Sequence, residues 1–128
     1  MALTTDDTIE MLQLYARYNT AIDTGDGDGF ARCFVADGVF DSGMGVQTGH
    51  KAIAAFAHKT HEAMPAMRHN ASNIVFDESA EGATGSAFLI GYLADGGFKV
   101  IVTGRYQDEL VRTPDGWRFA KRVFRADA

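Results

Sequence analysis

Asp23 and the four histidines are the side chains whose type and setting could move a proton or hold an ion. On a helical wheel at ~100° per residue, Ile9, Leu12, Ala16 and Asp23 fall within an arc of ~60°. The carboxylate therefore extends an apolar stripe, and Tyr18 points away from it. A carboxylate there is costly unless a hydrogen-bond donor or a cation meets it. Backbone amides at the helix end are one candidate partner, and a histidine or arginine is another. His69 follows Met64-Pro65-Ala66-Met67-Arg68 and opens a strand. Strand parity sets it on one face with Met67, Ala71, Asn73 and Val75. A histidine and an asparagine among small and apolar groups make either a polar network in the core or a pocket wall.

Ion binding is the competing chemistry. The run Gly25-Asp26-Gly27-Asp28-Gly29 has the look of a calcium loop. With Gly29 at the sixth loop position, Thr24 takes the first and Val35 the twelfth, so the leading carboxylate and the closing glutamate are missing. The run reads better as a turn, with Asp26 or Asp28 capping the next helix. His58, His61 and Glu62 lie within one helical turn, but lack zinc-protease spacing and fall off the apolar face. His50 reads as an exposed residue at a helix start. No metal is expected.

The chain of 128 residues suggests one domain spanning 1–128, with room for a core. A net charge of −5 argues against nucleic acid as the main partner. Arg118, Lys121, Arg122 and Arg125 gather near the end, where a solvated strand face or a subunit contact is expected. Cys33 is the only cysteine, which suits a reducing cytoplasm. No signal peptide and no membrane-spanning stretch are read in the sequence.

These side chains need elements to hold them. A first helix is expected over 8–23, with Asp7 and Glu10 at capping-box spacing and Gly25 as its stop. A short second helix is expected over 30–36 and a brief strand over 39–41. Gly49 opens a third helix, which presents Ile53, Phe56, Ala57 and Met64 and ends at Pro65. Strands follow over 68–76 and 83–93, the second apolar on both faces and so central. Asp95-Gly96-Gly97 signals a hairpin. In the next strand Phe98, Val100, Val102 and Tyr106 face one way, and Lys99, Thr103, Arg105, Gln107 and Glu109 the other. Pro114-Asp115-Gly116 turns the chain into a last strand over 117–125. Helices first and antiparallel strands afterwards predict an α+β domain, with helices on one face of the sheet.

Several pieces together carry a resemblance. They are Tyr15 and Asp23 with the following glycine–aspartate run, Phe34-x-x-Asp37, Gly49-x-x-Ala52-Ile53, Arg68-His69-x-x-x-Asn73, Gly104-x-Tyr106 and Gly116-Trp117-Arg118. In this order and at this length, the chain resembles the SnoaL-like branch of the nuclear transport factor 2-like superfamily. The resemblance implies a cone-shaped roll, in which three helices pack on a curved, mainly antiparallel sheet enclosing an apolar pocket. Within the superfamily the chain looks most like the scytalone dehydratase, hexachlorocyclohexane dehydrochlorinase and bile-acid 7α-dehydratase group. It implies a catalytic dyad of His69 and Asp23, with Tyr18 as a third group. Arg112 loosely matches an arginine of the dehydrochlorinase, and Asp41 is the counterpart of the base in the more distant ketosteroid isomerase.

The chemistry so implied is cofactor-independent. His69 would take a proton from a carbon beside a carbonyl or leaving group, and Asp23 would fix its tautomer. Tyr18, Tyr92 or Tyr106 would donate to the developing oxyanion or the departing hydroxide. The pocket is expected to be lined by Phe40, Met44, Phe56, Met64, Met67, Asn73, Phe88, Tyr92, Val102, Tyr106 and Phe124. Its methionines suit a bulky apolar or aromatic ligand. The alternative is a binding or accessory module, with Arg105, Arg118 and Arg122 at a subunit interface. By the same resemblance a homodimer or homotrimer is expected.

Overall fold

The structure is a computed structural model and describes residues 2–128. The elements run α1 (Thr5–Asp23), α2 (Gly27–Arg32), β1 (Phe34–Asp41), β2 (Val46–Thr48), α3 (His50–Ala63), β3 (Met67–Ser79), β4 (Gly82–Leu93), β5 (Lys99–Thr113) and β6 (Gly116–Ala126). The six strands form one open sheet in the order β2-β1-β6-β5-β4-β3. Only the β1–β6 pair is parallel. The three helices cover its inner face, as the α+β reading expects.

α1 begins earlier than expected because Thr4, not Asp7, is its cap. The Thr4 hydroxyl accepts from the Asp7 amide at 3.1 Å, and the Asp7 carboxylate accepts from the Thr4 amide at 2.9 Å. The buried face of α1 also differs from the expected stripe. Ile9 is 54% exposed, and Leu12 and Ala16 also face solvent. Met11, Leu14, Tyr15, Tyr18, Ala21 and Ile22 are the buried face, and they meet Phe30, Phe34, Phe119 and Leu110 in the core. All of them but Ala21 are aromatic or long apolar side chains, and they bury more area than the Ile9 stripe would.

The glycine–aspartate run is a turn. Gly25 takes φ +76°, and Asp26 caps α2 by accepting from the Gly29 amide at 2.9 Å. Gly27 lies under the His58 ring, where a Cβ would collide with it. α2 is shifted three residues earlier than expected, and residues 34–41 are strand. The cause is tertiary. The Phe119 amide donates to the Cys33 carbonyl, and Phe34 then pairs with Phe119 on β6.

Bulges break the parity that the sequence suggests in two strands. β3 shifts register against β4 between Ser72 and Val75, with Asn73 at φ +52°. Asn73 and Val75 are therefore exposed, while Ile74 and Phe76 pack on the core. β6 passes Ala120 unpaired: Leu110 faces Phe119 and Glu109 faces Lys121. Trp117 and Phe119 point inward before this bulge, and Arg122 points inward after it.

β4 and β5 lie inside the sheet, but each keeps one face open. β4 turns Ala83, Gly85, Ala87, Leu89 and Gly91 inward. The alanines and glycines among them let α1 come close, since a Cβ on Gly85 would meet the Tyr15 hydroxyl. Phe88 and Ile90 face outward, against the expectation of a strand buried on both sides. Phe98 precedes β5 at φ +61° and is exposed, so it does not join the Val102 and Tyr106 face.

Candidate functional site

α1 ends at Asp23 where β3 begins, and the two elements bring Asp23 against His69. The Asp23 carboxylate uses both oxygens on this one residue. Oδ1 lies 2.6 Å from His69 Nδ1, and Oδ2 accepts from the His69 amide at 2.9 Å. The side chains are 13% and 9% exposed. The partner of the carboxylate is thus the histidine, rather than amides at the helix end. With Nδ1 committed to the carboxylate, Nε2 makes no hydrogen bond within the described residues.

His69 forms part of the wall of an apolar cleft of about 680 Å³ between α1, α3 and the inner face of the sheet. Phe40, Met44, Phe56, Met64, Met67, Val102, Tyr106 and Phe124 line it as expected, and so does Tyr18. Met44 is the most exposed of these and stands at the mouth, in the turn between β1 and β2. Residues not expected from sequence are Ile22, Leu89 and Ile101, with Ser42, Gln47, Lys59 and Thr60 as polar groups.

Three expected lining residues lie elsewhere. Asn73 is exposed at the β3 bulge. Phe88 is on the outer sheet face, 44% exposed, beneath the Arg105 guanidinium. Tyr92 shares that outward parity, stacks on Phe98 and accepts a 3.4 Å bond from Asn70. Asp41 is also outside the cleft. Its carboxylate takes two bonds from Arg125, at 3.0 and 2.9 Å, and one from the Gly43 amide, which hold it down at about 2. Arg112 is far from His69: it pairs with Asp7 and lies over Trp117. His50 is half-buried, and its Nε2 lies 2.8 Å from the Phe34 carbonyl, tying α3 to β1.

Tyr18 is buried at 1% exposure, contrary to its apparent direction on the wheel. The wheel misled because the Ile9 stripe is not the buried face. The Tyr18 ring packs on Phe30, Phe40 and Tyr106. Burial raises the phenols of both Tyr18 and Tyr106, so each stays protonated near neutral pH and keeps an O–H that can donate.

Behind these two rings lies a group the sequence reading placed on the surface. Arg122 is 1% exposed, and its guanidinium sits 3.5 Å from the Tyr106 ring centroid and 4.3 Å from that of Tyr18. Asp108 receives it in a fork at 2.9 and 3.1 Å and also accepts from the Tyr15 hydroxyl. Burial opposes the charge on Arg122, but the Asp108 carboxylate offsets this and holds it cationic, with three tyrosine rings packed against the guanidinium. Arg122 therefore cannot reach a subunit interface. Asp108 was legible from alternation with Tyr106 and Leu110, whereas the inward turn of Arg122 depends on the Ala120 bulge.

Residues 4–123 match the family model described as a SnoaL-like domain. The chain belongs to the SnoaL-like family. On sequence grounds the chain is similar to an uncharacterised protein of Mycobacterium tuberculosis, 31% identical over 124 residues, which cover 91% of this chain and 83% of the relative. Among solved structures, a nuclear transport factor 2-like protein with a cystatin-like fold from Novosphingobium aromaticivorans superposes with a TM-score of 0.86 at 27% identity, covering 93% of this chain and 80% of that one. A Catenulispora acidiphila protein, solved in complex with S-DNPA, superposes with a TM-score of 0.84 at 27% identity, covering 97% and 96%. The helix-on-open-sheet architecture of this SnoaL-like chain is the one these structures share. No helix among the described residues is long and apolar enough to cross a membrane.

Proposed function

We propose that this chain is a cofactor-independent lyase or isomerase that removes a proton from an apolar cyclic substrate, with dehydratase-like elimination as its reaction. The observation that carries the reading is the Asp23–His69 contact at the wall of the cleft, with Nε2 left unbonded. A neutral imidazole that donates Nδ1–H to a carboxylate keeps its lone pair on Nε2. His69 Nε2 takes the proton from a carbon beside a carbonyl. The C–H electron pair becomes the new C=C bond, the β C–O bond breaks, and hydroxide leaves as water after taking up a proton. The Tyr18 or Tyr106 hydroxyl donates to the oxygen that gains charge. Asp23 holds the ring tautomer and stabilises the imidazolium that forms. The apolar walls fit a flat or bulky hydrocarbon skeleton, and the cleft volume lies in the usual range for a small-molecule site. The ligand complex of the Catenulispora relative supports small-molecule binding by this fold.

The test is elimination from a panel of bicyclic β-hydroxyketones, followed by absorbance of the conjugated product. Turnover lost in both Asp23→Asn and His69→Gln is the expected result. Saturable binding without turnover, equal in the wild-type chain and both variants, would make the cleft a carrier site instead. Self-association through the outer sheet face is part of the same proposal, since Phe88, Ile90 and Val100 are exposed there. Light scattering should show an oligomer that Phe88→Glu dissociates, and a monomeric wild-type chain would remove this part.

A further inference from the structure

α1 has a second working face. Tyr18 and Ile22 line the cleft, while Gln13, Arg17 and Thr20 line a separate groove of about 550 Å³. Its other wall comes from α2, the start of β1 and β6, and includes Arg32, Cys33 and Arg118. None of Arg17, Arg32 and Arg118 is ion-paired among the described residues, whereas Arg112, Arg122 and Arg125 each hold an aspartate. Arg118 donates only to the adjacent Trp117 carbonyl. The one carboxylate in the lining, Asp26, is engaged by the Gly29 amide. Arg17, Arg32 and Arg118 line this one groove together with Cys33. Burial pushes the Cys33 thiol up to about 11, while Arg118, Arg122, Arg17 and Arg32 pull it down.

In a chain of net charge −5, three unpaired arginines around one recess repel one another, and an anion between them relieves that repulsion. The planar fork of guanidinium matches phosphate oxygens in pairs. Gln13 and Thr20 add neutral hydrogen-bonding groups along the α1 wall. We propose that the groove between α1, α2 and β6 binds a small molecule through a phosphate or diphosphate group held by Arg17, Arg32 and Arg118. This site is independent of the proton-abstracting cleft.

Titration calorimetry of the full chain with inorganic pyrophosphate tests it, with citrate at matched ionic strength as the carboxylate control. One-to-one saturable binding of pyrophosphate is expected, with citrate clearly weaker. Arg17→Gln should weaken it by about tenfold or more, and Arg17→Gln with Arg32→Gln should abolish it. Both residues are exposed, so the variants should melt as the wild-type chain does. His69→Gln should bind pyrophosphate unchanged, which separates this site from the cleft. No saturable heat at millimolar pyrophosphate, equal affinity in the double variant, or citrate binding as tightly would each overturn the proposal.

Discussion

Asp108 is buried and Asp23 is largely so; each holds a nitrogen partner, and the two pairs end in opposite states. Asp108 and Arg122 are both engaged on every side. The guanidinium is forked onto the carboxylate, Tyr15 adds a donor, and aromatic rings cover the rest. Asp23 and His69 are as close, but His69 lies at a cleft wall and one of its ring nitrogens has no partner among the described residues. A saturated pair has nothing left to offer a ligand and serves to fix the core. An unsaturated pair at a cavity is equipped to react. Distance alone does not tell the two apart; the remaining valence and the access do.

The comparison breaks most visibly at the dyad. Asp23→Asn or His69→Gln should lower turnover on an eliminating substrate by ~10³–10⁴-fold while moving the unfolding midpoint little, as loss of the tautomer-fixing group does in other His–Asp sites. Kinetics and denaturant unfolding on the same samples check this, and a large stability loss with turnover retained would reverse the roles of the two pairs. At the other pair, Arg122→Met should cost about 3–5 kcal/mol of stability, because it leaves Asp108 buried and uncompensated. Replacing Asp108 by Leu in the same chain should restore part of that loss, as read by urea unfolding.

Tyr18 lies between the pairs, touching Arg122 on one side and the cleft on the other. Tyr18→Phe should reduce turnover by ~10²-fold with a smaller change in stability, the size expected for one lost oxyanion donor. A turnover unchanged in Tyr18→Phe would leave Tyr106 as the donor. The smallest effect belongs to the exposed pair Asp41–Arg125, a control for both. Arg125, then the Gly43 amide, holds Asp41 at about 2. A carboxylate depressed in the folded state adds stability above its unfolded value of about 4, and loses it as pH falls from there toward 2. Asp41→Asn should therefore lower the urea midpoint slightly near neutral pH, flatten its acid limb between those limits, and converge with the wild-type chain at the acid end.

Much of this was legible in the sequence, and the gaps have physical causes. The order of helices and strands, the turns at Gly25, Asp95 and Asp115, and the cleft residues on α3 follow from local pattern. Asp23 stands out in the sequence as a carboxylate on a stripe that proves to be exposed; what covers it is the start of β3, where His69 meets it. Phe88 and Tyr92 were misassigned because size was taken for burial, whereas β4 turns its small residues toward α1. Asn73 and Arg122 were misassigned because a single-residue bulge inverts strand parity, and a bulge is set by pairing across the sheet. Asp108 carried a readable signal as a polar residue on the inward side of β5.

The central claim is that the Asp23 carboxylate accepts a hydrogen bond from His69 Nδ1–H and so leaves the lone pair on Nε2. Long-range ¹⁵N–¹H correlation spectra of ¹⁵N-histidine-labelled protein, with His69 assigned by His69→Gln, report that tautomer directly. A neutral ring protonated on Nδ1, changing to the other tautomer or to mobile exchange in Asp23→Asn, is the predicted result. A ring protonated on Nε2 in the wild-type chain, unaltered by Asp23→Asn, would contradict it.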